Sequence, residues 1–162
     1  MANYKKVASL ELSQRILEKG YSVRIPVVGG SMFPLLRSGN TIIFEPVEVS
    51  KISIGDIIVY GRGRRIVARR LVKRYQENGR VVLVTKGDSF SSLDPLIYAE
   101  DVLGKVVSVE RKGCRIRLDK GIGSLISFIC AKIFPFSPWI YPVLRNVKYM
   151  LSLEYRDSNR RK

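Results

Sequence analysis

The chain has 162 residues, 46% of them hydrophobic, which suffices for one domain with a true core and excludes a disordered chain. Lys and Arg number 29 against 14 Asp and Glu, and the resulting formal charge of +15 predicts an anionic partner, either nucleic acid or an acidic lipid surface. There is no histidine, and Cys114 and Cys130 lie far apart, so we expect no metal site and no cofactor.

The first predicted element is a short helix over residues 6–19. Apolar side chains recur there at roughly helical spacing in the stretch KVASLELSQRILEKG, and Gly20 is a typical helix stop. One helix of this length is too short for a helix-turn-helix DNA-binding module.

A series of short β-branched segments follows, from residue 21 to about residue 118. Each is bounded by Gly, Asn or Asp, which is typical of short strands, and QENG at 76–79 predicts a hairpin loop. The segments are YSVRIPVVG, NTIIFEPV, GDIIVYGRG, RRIVARRLVKRY, GRVVLVTKGD and GKVVSVERKGCRIRLD. Because no helices alternate with them, residues 1–120 are predicted to form a mainly β domain, an antiparallel sheet or partly open barrel with a short N-terminal helix.

Residues 121–162 form a second predicted unit, an apolar helical segment with the basic tail YRDSNRRK. The apolar run before Pro135 has about fourteen residues, whereas a membrane-spanning helix needs roughly twenty. Two interpretations remain open: helices lying in the interface of an anionic membrane, or a helix covering the β core. The first predicts a membrane-associated protein on the cytoplasmic side, and otherwise a cytoplasmic protein is expected.

Five motifs occur in a fixed order on these predicted strands: GGSMFPLLRSGN, IGDIIVY, RRIVARRLVKRY, VTKGDSFSSLD and DVLGKV. Their order and spacing resemble the signal peptidase I / LexA-like superfamily of serine peptidases, over about residues 20–110. The resemblance implies a pseudo-barrel of short antiparallel strands. It also implies hydrolysis of peptide bonds by a serine that is paired with a lysine or, in some branches, a histidine.

Ser31, in the first motif, is the candidate nucleophile. Gly29 and Gly30 before it allow a tight turn and the close approach of a substrate carbonyl. The resemblance implies that the backbone N–H of Ser31 forms the oxyanion hole and that Met32 and Pro34 shape the substrate groove. The alternative is a serine that only forms a turn.

The base position departs from the resemblance. In the text VARRLV, Arg69 stands where the family has its lysine or histidine. Arginine stays protonated and cannot accept the serine proton, and a chain without histidine has no Ser-His-Asp triad. A lysine of lowered pKa is the remaining base type. Lys73 is on the same strand but roughly 13 Å from Arg69 at about 3.3 Å per residue, and Lys86 lies in the fourth motif. We favour replacement of the base by Arg69.

Asp88 and Asp94 are the acidic candidates of the site. The resemblance implies that these residues of the fourth motif support the serine, and Asp88 is predicted to pair with Arg69. The alternative is that GDSFSSLDP is a turn held by hydrogen bonds from its own side chains.

The sequence thus predicts a signal-peptidase-like serine peptidase that cleaves precursor or leader peptides after small residues, impaired if Arg69 occupies the base position. The alternative is a catalytically inactive module of the same fold that binds a peptide or a membrane. Binding of nucleic acid is a weaker third hypothesis. Seven cations between residues 62 and 74 exceed what a solvated strand face needs, but no aromatic residues for base stacking are interleaved with them.

Overall fold

The computed structural model describes the backbone of residues 2–118 and the side chains of residues 10–118. The apolar helices predicted for residues 121–162 lie outside the described residues. The described elements are α1 Ala2–Glu18, β1 Val23–Pro26, β2 Thr41–Glu45, a 3₁₀ turn Val49–Lys51, β3 Ile57–Arg62, β4 Arg65–Glu77, β5 Arg80–Lys86, β6 Ile97–Tyr98, a 3₁₀ turn Ala99–Asp101, β7 Val102–Arg111 and β8 Cys114–Arg117. The prediction of a mainly β fold is confirmed.

The described strands form a single antiparallel sheet with the order β1-β2-β7-β3-β4-β5-β6, and β8 pairs with β7 off this path. The long strand β7 changes partner along its length: its first half pairs with β3 and its second half with β2 and β8. Register shifts occur at Ile43/Phe44 in β2 and at Val59/Tyr60 in β3. Such bulges bend the strands and increase their twist.

The hairpin predicted at QENG is confirmed. Glu77 and Arg80 are cross-strand partners, and the two residues between them, Asn78 and Gly79, have φ values of 50° and 76°. Positive φ at both central residues defines a type I′ turn, whose twist matches that of the flanking strands and which favours Asn-Gly. The local sequence therefore sets the register of β4 against β5.

Two hydrophobic clusters fill the two faces of the sheet. In β3, Ile57 and Val59 belong to the first cluster, whereas Ile58 and Tyr60 belong to the second. Since successive side chains of a strand point to opposite faces, β3 is buried on both sides. Leu17 of α1 completes the first cluster, so the helix covers that face of the sheet.

Helix α1 ends as predicted but begins four residues earlier, at Ala2. Gly20 has φ +79°, and its N–H donates a 2.8 Å hydrogen bond to the carbonyl of Leu17. The earlier start is consistent with residues 2–5, which contain no Gly or Pro to stop a helix. Within residues 2–118, no helix is long and apolar enough to cross a membrane.

Candidate active site around Ser31

Ser31 lies at the start of a run of turns that connects β1 to β2. Gly29, two residues earlier, has φ +87°, a backbone conformation that L side chains rarely adopt. The turn is anchored from below, because Met32 and Leu36 are buried in the first hydrophobic cluster. The N–H of Leu36 also donates to the carbonyl of Met32 at 2.8 Å. Ser31 itself is partly buried, so a packed scaffold holds the hydroxyl at the surface of the fold.

The role predicted for Met32 needs correction. Only 3% of its surface is exposed, and its side chain packs in the core, so it does not shape a substrate groove by direct contact. The sequence hides this, because consecutive residues of a turn point in different directions. The other three candidates for substrate contact, Gly29, Gly30 and Pro34, are exposed.

The turn that follows β5 packs directly against the Ser31 turn. The N–H of Ser89 donates to the carbonyl of Ser31 at 3.1 Å, and its hydroxyl donates to the carbonyl of Gly30 at 2.9 Å. A Cβ atom at Gly87 would lie 2.7 Å from the Ser31 carbonyl oxygen and 2.9 Å from Cδ2 of Phe90. Position 87 therefore requires a glycine for the two turns to approach each other.

Arg69 on β4 is the residue that contacts the candidate nucleophile. Its Nη1 donates to the Ser31 hydroxyl at 2.8 Å and to the carbonyl of Ala68 at 2.9 Å, and its Nε donates to Oδ2 of Asp94 at 2.9 Å. The prediction that Arg69 lies beside Ser31 is confirmed. The guanidinium bridges Ser31 and Asp94, with side chains of Arg69 and Asp94 only 14% and 11% exposed.

Asp94 is held in place by residues that the sequence analysis did not single out. Its N–H donates to the carbonyl of Thr85 at 2.8 Å, and the Thr85 hydroxyl donates to Oδ2 of Asp94 at 3.4 Å. The hydroxyl of Tyr60 lies 3.3 Å from that of Thr85, and Arg62 lies 3.8 Å from the other carboxylate oxygen. Burial is the main cause that raises the pKa of Tyr60, so this phenol stays protonated. One feature of the sequence could have indicated this contact: Thr85 is a polar residue in a strand that is mostly apolar.

Asp88 does not pair with Arg69, contrary to the prediction. Its two carboxylate oxygens accept hydrogen bonds of 2.7 Å from Nε and Nη2 of Arg70, and both side chains are only 2% exposed. Nη1 of Arg70 also donates to the carbonyl of Gly55 at 2.7 Å. Arg69 and Arg70 are neighbours on one strand, so their side chains point to opposite faces. Asp88 therefore supports the fold behind the site and is not in contact with Ser31.

The two candidate lysines differ in their surroundings, and Lys73 makes no hydrogen bond to Ser31 within the described part of the chain. Lys73 is exposed, and its Nζ lies 5.1 Å from the centre of the Tyr75 ring. A register shift between Leu71 and Lys73 interrupts the alternation of faces that would have placed Lys73 on the side of Arg69. Lys86 is buried, and desolvation lowers its pKa, opposed by the charge of Asp88. In the register of β4 and β5, Lys86 stands opposite Arg70.

The arrangement has the positions of a catalytic triad with an unsuitable middle residue. In a Ser-His-Asp triad the imidazole accepts the serine proton, and the carboxylate orients the imidazole. Here the middle group donates to both neighbours, because a guanidinium carries no free acceptor. The hydroxyl of Ser31 accepts a hydrogen bond from this group. Among residues 10–118, no group of His, Cys, Asp and Glu could hold a metal ion.

Comparisons with known proteins point to one group of enzymes. No protein-family model matches the chain. Among curated proteins, the chain is similar to the signal peptidase complex catalytic subunit SEC11 of Colletotrichum graminicola, with 28% identity over 95 residues, 52% of this chain and 55% of the relative. The corresponding proteins of Sclerotinia sclerotiorum and Scheffersomyces stipitis are 30% and 31% identical over 94 and 87 residues, 51% and 52% of this chain and 55% and 52% of the relatives.

The chain thus spans about half the length of the curated relatives that it matches. Its described fold is mainly β, as the resemblance in the five motifs implies, and three of those motifs contribute the hydrogen-bonded residues Ser31, Arg69 and Asp94. The fold and these relatives support the resemblance of the chain to the signal peptidase I-like superfamily.

Proposed function

We propose that this chain is a signal-peptidase-like serine peptidase homologue that binds precursor peptides at Ser31 and in which Arg69 suppresses the cleavage step. The observation that carries the proposal is the 2.8 Å hydrogen bond from Nη1 of Arg69 to the Ser31 hydroxyl. This contact supports the proposal, because arginine is a charged hydrogen-bond donor, whereas cleavage by a serine needs a proton acceptor beside its hydroxyl.

Peptide binding is supported by the surface around the serine. Gly29 and Gly30 are exposed and carry no side chains that would block an extended substrate. The N–H of Ser31 takes part in no backbone hydrogen bond within residues 2–118, so it is free to bind a carbonyl oxygen. The relatives are named as catalytic subunits of the signal peptidase complex, which makes a precursor peptide the corresponding ligand here.

Suppression of cleavage follows from the chemistry of the middle residue. A positioned general base typically contributes 10²–10⁴-fold to the rate. Its replacement should therefore leave a turnover that is about 10²–10⁴-fold lower than that of a full peptidase. Asp94 remains in place to orient a base if one is supplied, since its backbone N–H is bonded to Thr85 independently of Arg69.

Association with an anionic membrane stays a prediction that depends on residues 121–162, and binding of nucleic acid stays a weaker one. Both rest on the excess of cations in the chain.

The first testable prediction is a rescue of cleavage. Arg69→His and Arg69→Lys each supply a group that can accept the Ser31 proton between Ser31 and Asp94, so we expect cleavage of precursor peptides to rise at least about tenfold above wild type. The products are identified and quantified by mass spectrometry, in trans and within the chain itself. Adding Ser31→Ala should abolish the gain.

Arg65→Lys is the matched control, because Arg65 is exposed on the same strand. It should leave cleavage at the wild-type level. Efficient cleavage by the wild type that Ser31→Ala stops, with no response to either change at Arg69, would show that another residue is the base. Lys86→Ala and Lys73→Ala would then identify it.

A further inference from the structure

The Arg69 guanidinium has hydrogen-bonding capacity that the described residues do not use. Its Nε and Nη1 are bonded to Asp94, Ser31 and Ala68, whereas Nη2 makes no hydrogen bond within residues 10–118. The side chain is 14% exposed, and no fully buried side-chain nitrogen of the described part lacks a partner, so Nη2 is accessible to solvent. Nη2 is bonded to the same carbon as Nη1, the atom that contacts the Ser31 hydroxyl. Two N–H donors are thus available at the site.

Ser31 contributes two further donors. Its hydroxyl oxygen accepts from Arg69, so the hydroxyl hydrogen is left to donate to another acceptor. Its backbone N–H donates to no carbonyl within residues 2–118. A ligand that matches these donors has several oxygens that accept hydrogen bonds, and it does not have to donate any.

The charges favour an anionic ligand. Arg69 and Arg62 both contact Asp94, so two positive charges face one negative charge. A scissile amide is neutral and offers one carbonyl oxygen, whereas a carboxylate is negative and offers two oxygens in a plane that matches the edge of a guanidinium. A serine hydroxyl that donates is also suited to a carboxylate.

An apolar surface next to the donors indicates that the carboxylate belongs to a peptide. Phe90 is 44% exposed, and the centre of its ring lies 5.7 Å from Cζ of Arg69. Leu93 and Leu96, in the same loop, are 57% and 54% exposed. A small inorganic anion would leave this surface uncovered, whereas the last side chains of a bound peptide would cover apolar area on it.

We infer that the site formed by Ser31 and Arg69 binds the free C-terminal carboxylate of a peptide, with the terminal side chains against Phe90. The inference rests on the proposed function and deepens it. The preferred ligand has the form of a cleaved peptide, and an intact peptide that passes through the site is bound more weakly.

The test compares two pools of random octapeptides, one with free C-terminal carboxylates and one amidated, for retention by the full-length chain. Charge-assisted hydrogen bonds to Arg69 should make the wild type retain the acid pool about tenfold or more over the amide pool, as measured by mass spectrometry. An amidated pool with one added Glu has the same net charge as the acid pool and should bind like the amide pool. Arg69→Met should abolish the preference, and Arg65→Met should preserve it.

The outcomes separate this inference from the proposed function. Equal retention of acid and amide pools, both above a control without protein, would overturn the carboxylate preference and leave peptide binding intact. Retention of the added-Glu pool at the level of the acid pool would show attraction of charge alone and contradict the inference. Displacement by inorganic phosphate at equal concentration would assign the site to free anions. If neither pool is retained, the carboxylate inference is wrong, and the rescue of cleavage by Arg69→His decides the proposed function independently.

Discussion

Arg69 and Arg70 show how the surroundings of a residue decide its role. The two are consecutive on β4 and carry the same charged group. Arg69 is partly exposed and links Ser31 to Asp94, whereas Arg70 is buried with Asp88 on the opposite face. A guanidinium has only donors, so Arg69 offers hydrogen bonds to Ser31 and Asp94, whereas the same group in Arg70 holds a buried carboxylate.

The buried pair of Arg70 and Asp88 leads to a stability prediction. Asp88→Asn removes the charge that compensates a 2%-exposed guanidinium, and breaking a buried pair in this way costs about 3–5 kcal/mol. We expect the free energy of unfolding, measured by urea titration, to fall by about that amount. Glu48→Gln removes an exposed carboxylate paired with Lys51 and is the matched control, with a far smaller effect. Equal effects of the two changes would mean that Arg70 is adequately stabilised by its other contacts.

At the scale of the elements, the antiparallel pairing of β2 and β7 depends on Gly104. A Cβ atom at this position would lie 2.2 Å from the carbonyl oxygen of Glu45, which is a backbone atom that cannot move without breaking the pairing of the two strands. Gly61 in β3 is different, because a Cβ atom there would meet only the flexible end of Leu10 at an ordinary 3.6 Å. A side chain is therefore tolerated at position 61 but not at position 104.

Gly104→Ala is predicted to destabilise the fold by about 1–3 kcal/mol or more, as overpacking typically does. Gly61→Ala should be neutral or should stabilise by a few tenths to about 1 kcal/mol, because alanine restricts the unfolded chain. Thermal and urea unfolding of both variants measure the difference. A Gly104→Ala variant as stable as Gly61→Ala would show that β2 can shift away from β7 without cost.

The elements were predictable from the sequence where local chemistry determines them. Asn78 and Gly79 specify a type I′ turn by themselves, and Gly20 ends a helix by its own conformational freedom. Strand β6 was missed, because its two residues are too few to give a pattern. The position of Lys73 could not be predicted either, since a register shift is set by the partner strand and not by the sequence around it.

Only part of the site was predictable from the sequence, because strand register also decides which side chains meet there. The motif order placed Arg69 beside Ser31, although 38 residues separate them. The acid partner of Arg69 was predicted wrongly: Asp94 contacts Arg69, and Asp88 contacts Arg70. Which of two neighbouring arginines faces which aspartate depends on strand register and loop path. A change of one residue in either reverses the assignment, because side chains alternate between faces.

For the whole molecule, a chain of polar contacts connects the interior to the candidate site. Tyr60 belongs to the second hydrophobic cluster, and its hydroxyl lies 3.3 Å from that of Thr85. Thr85 contacts Asp94, Asp94 contacts Arg69, and Arg69 contacts Ser31. These contacts connect the site to the second hydrophobic cluster, whereas the Ser31 turn itself is anchored in the first cluster, on the other face of the sheet. The stability of the fold and the geometry of the site share these contacts.

The last prediction uses the pH dependence of Tyr60. Burial raises its pKa above the ordinary value of 10.0, so between these two values the unfolded chain loses a proton that the folded protein keeps. The contribution of Tyr60 to stability is therefore fully present below about pH 10 and is lost as the pH rises through the raised pKa.

Tyr60→Phe removes the hydrogen bond to Thr85 and should lower the free energy of unfolding by about 1 kcal/mol at neutral pH. Because phenylalanine does not ionise, the gap between variant and wild type should narrow above about pH 10. Urea unfolding from neutral to alkaline pH measures that gap. Tyr21→Phe, at an exposed position, is the control and should run parallel to wild type. A gap for Tyr60→Phe that stays constant with pH would show that the phenol ionises equally in the folded and unfolded chains.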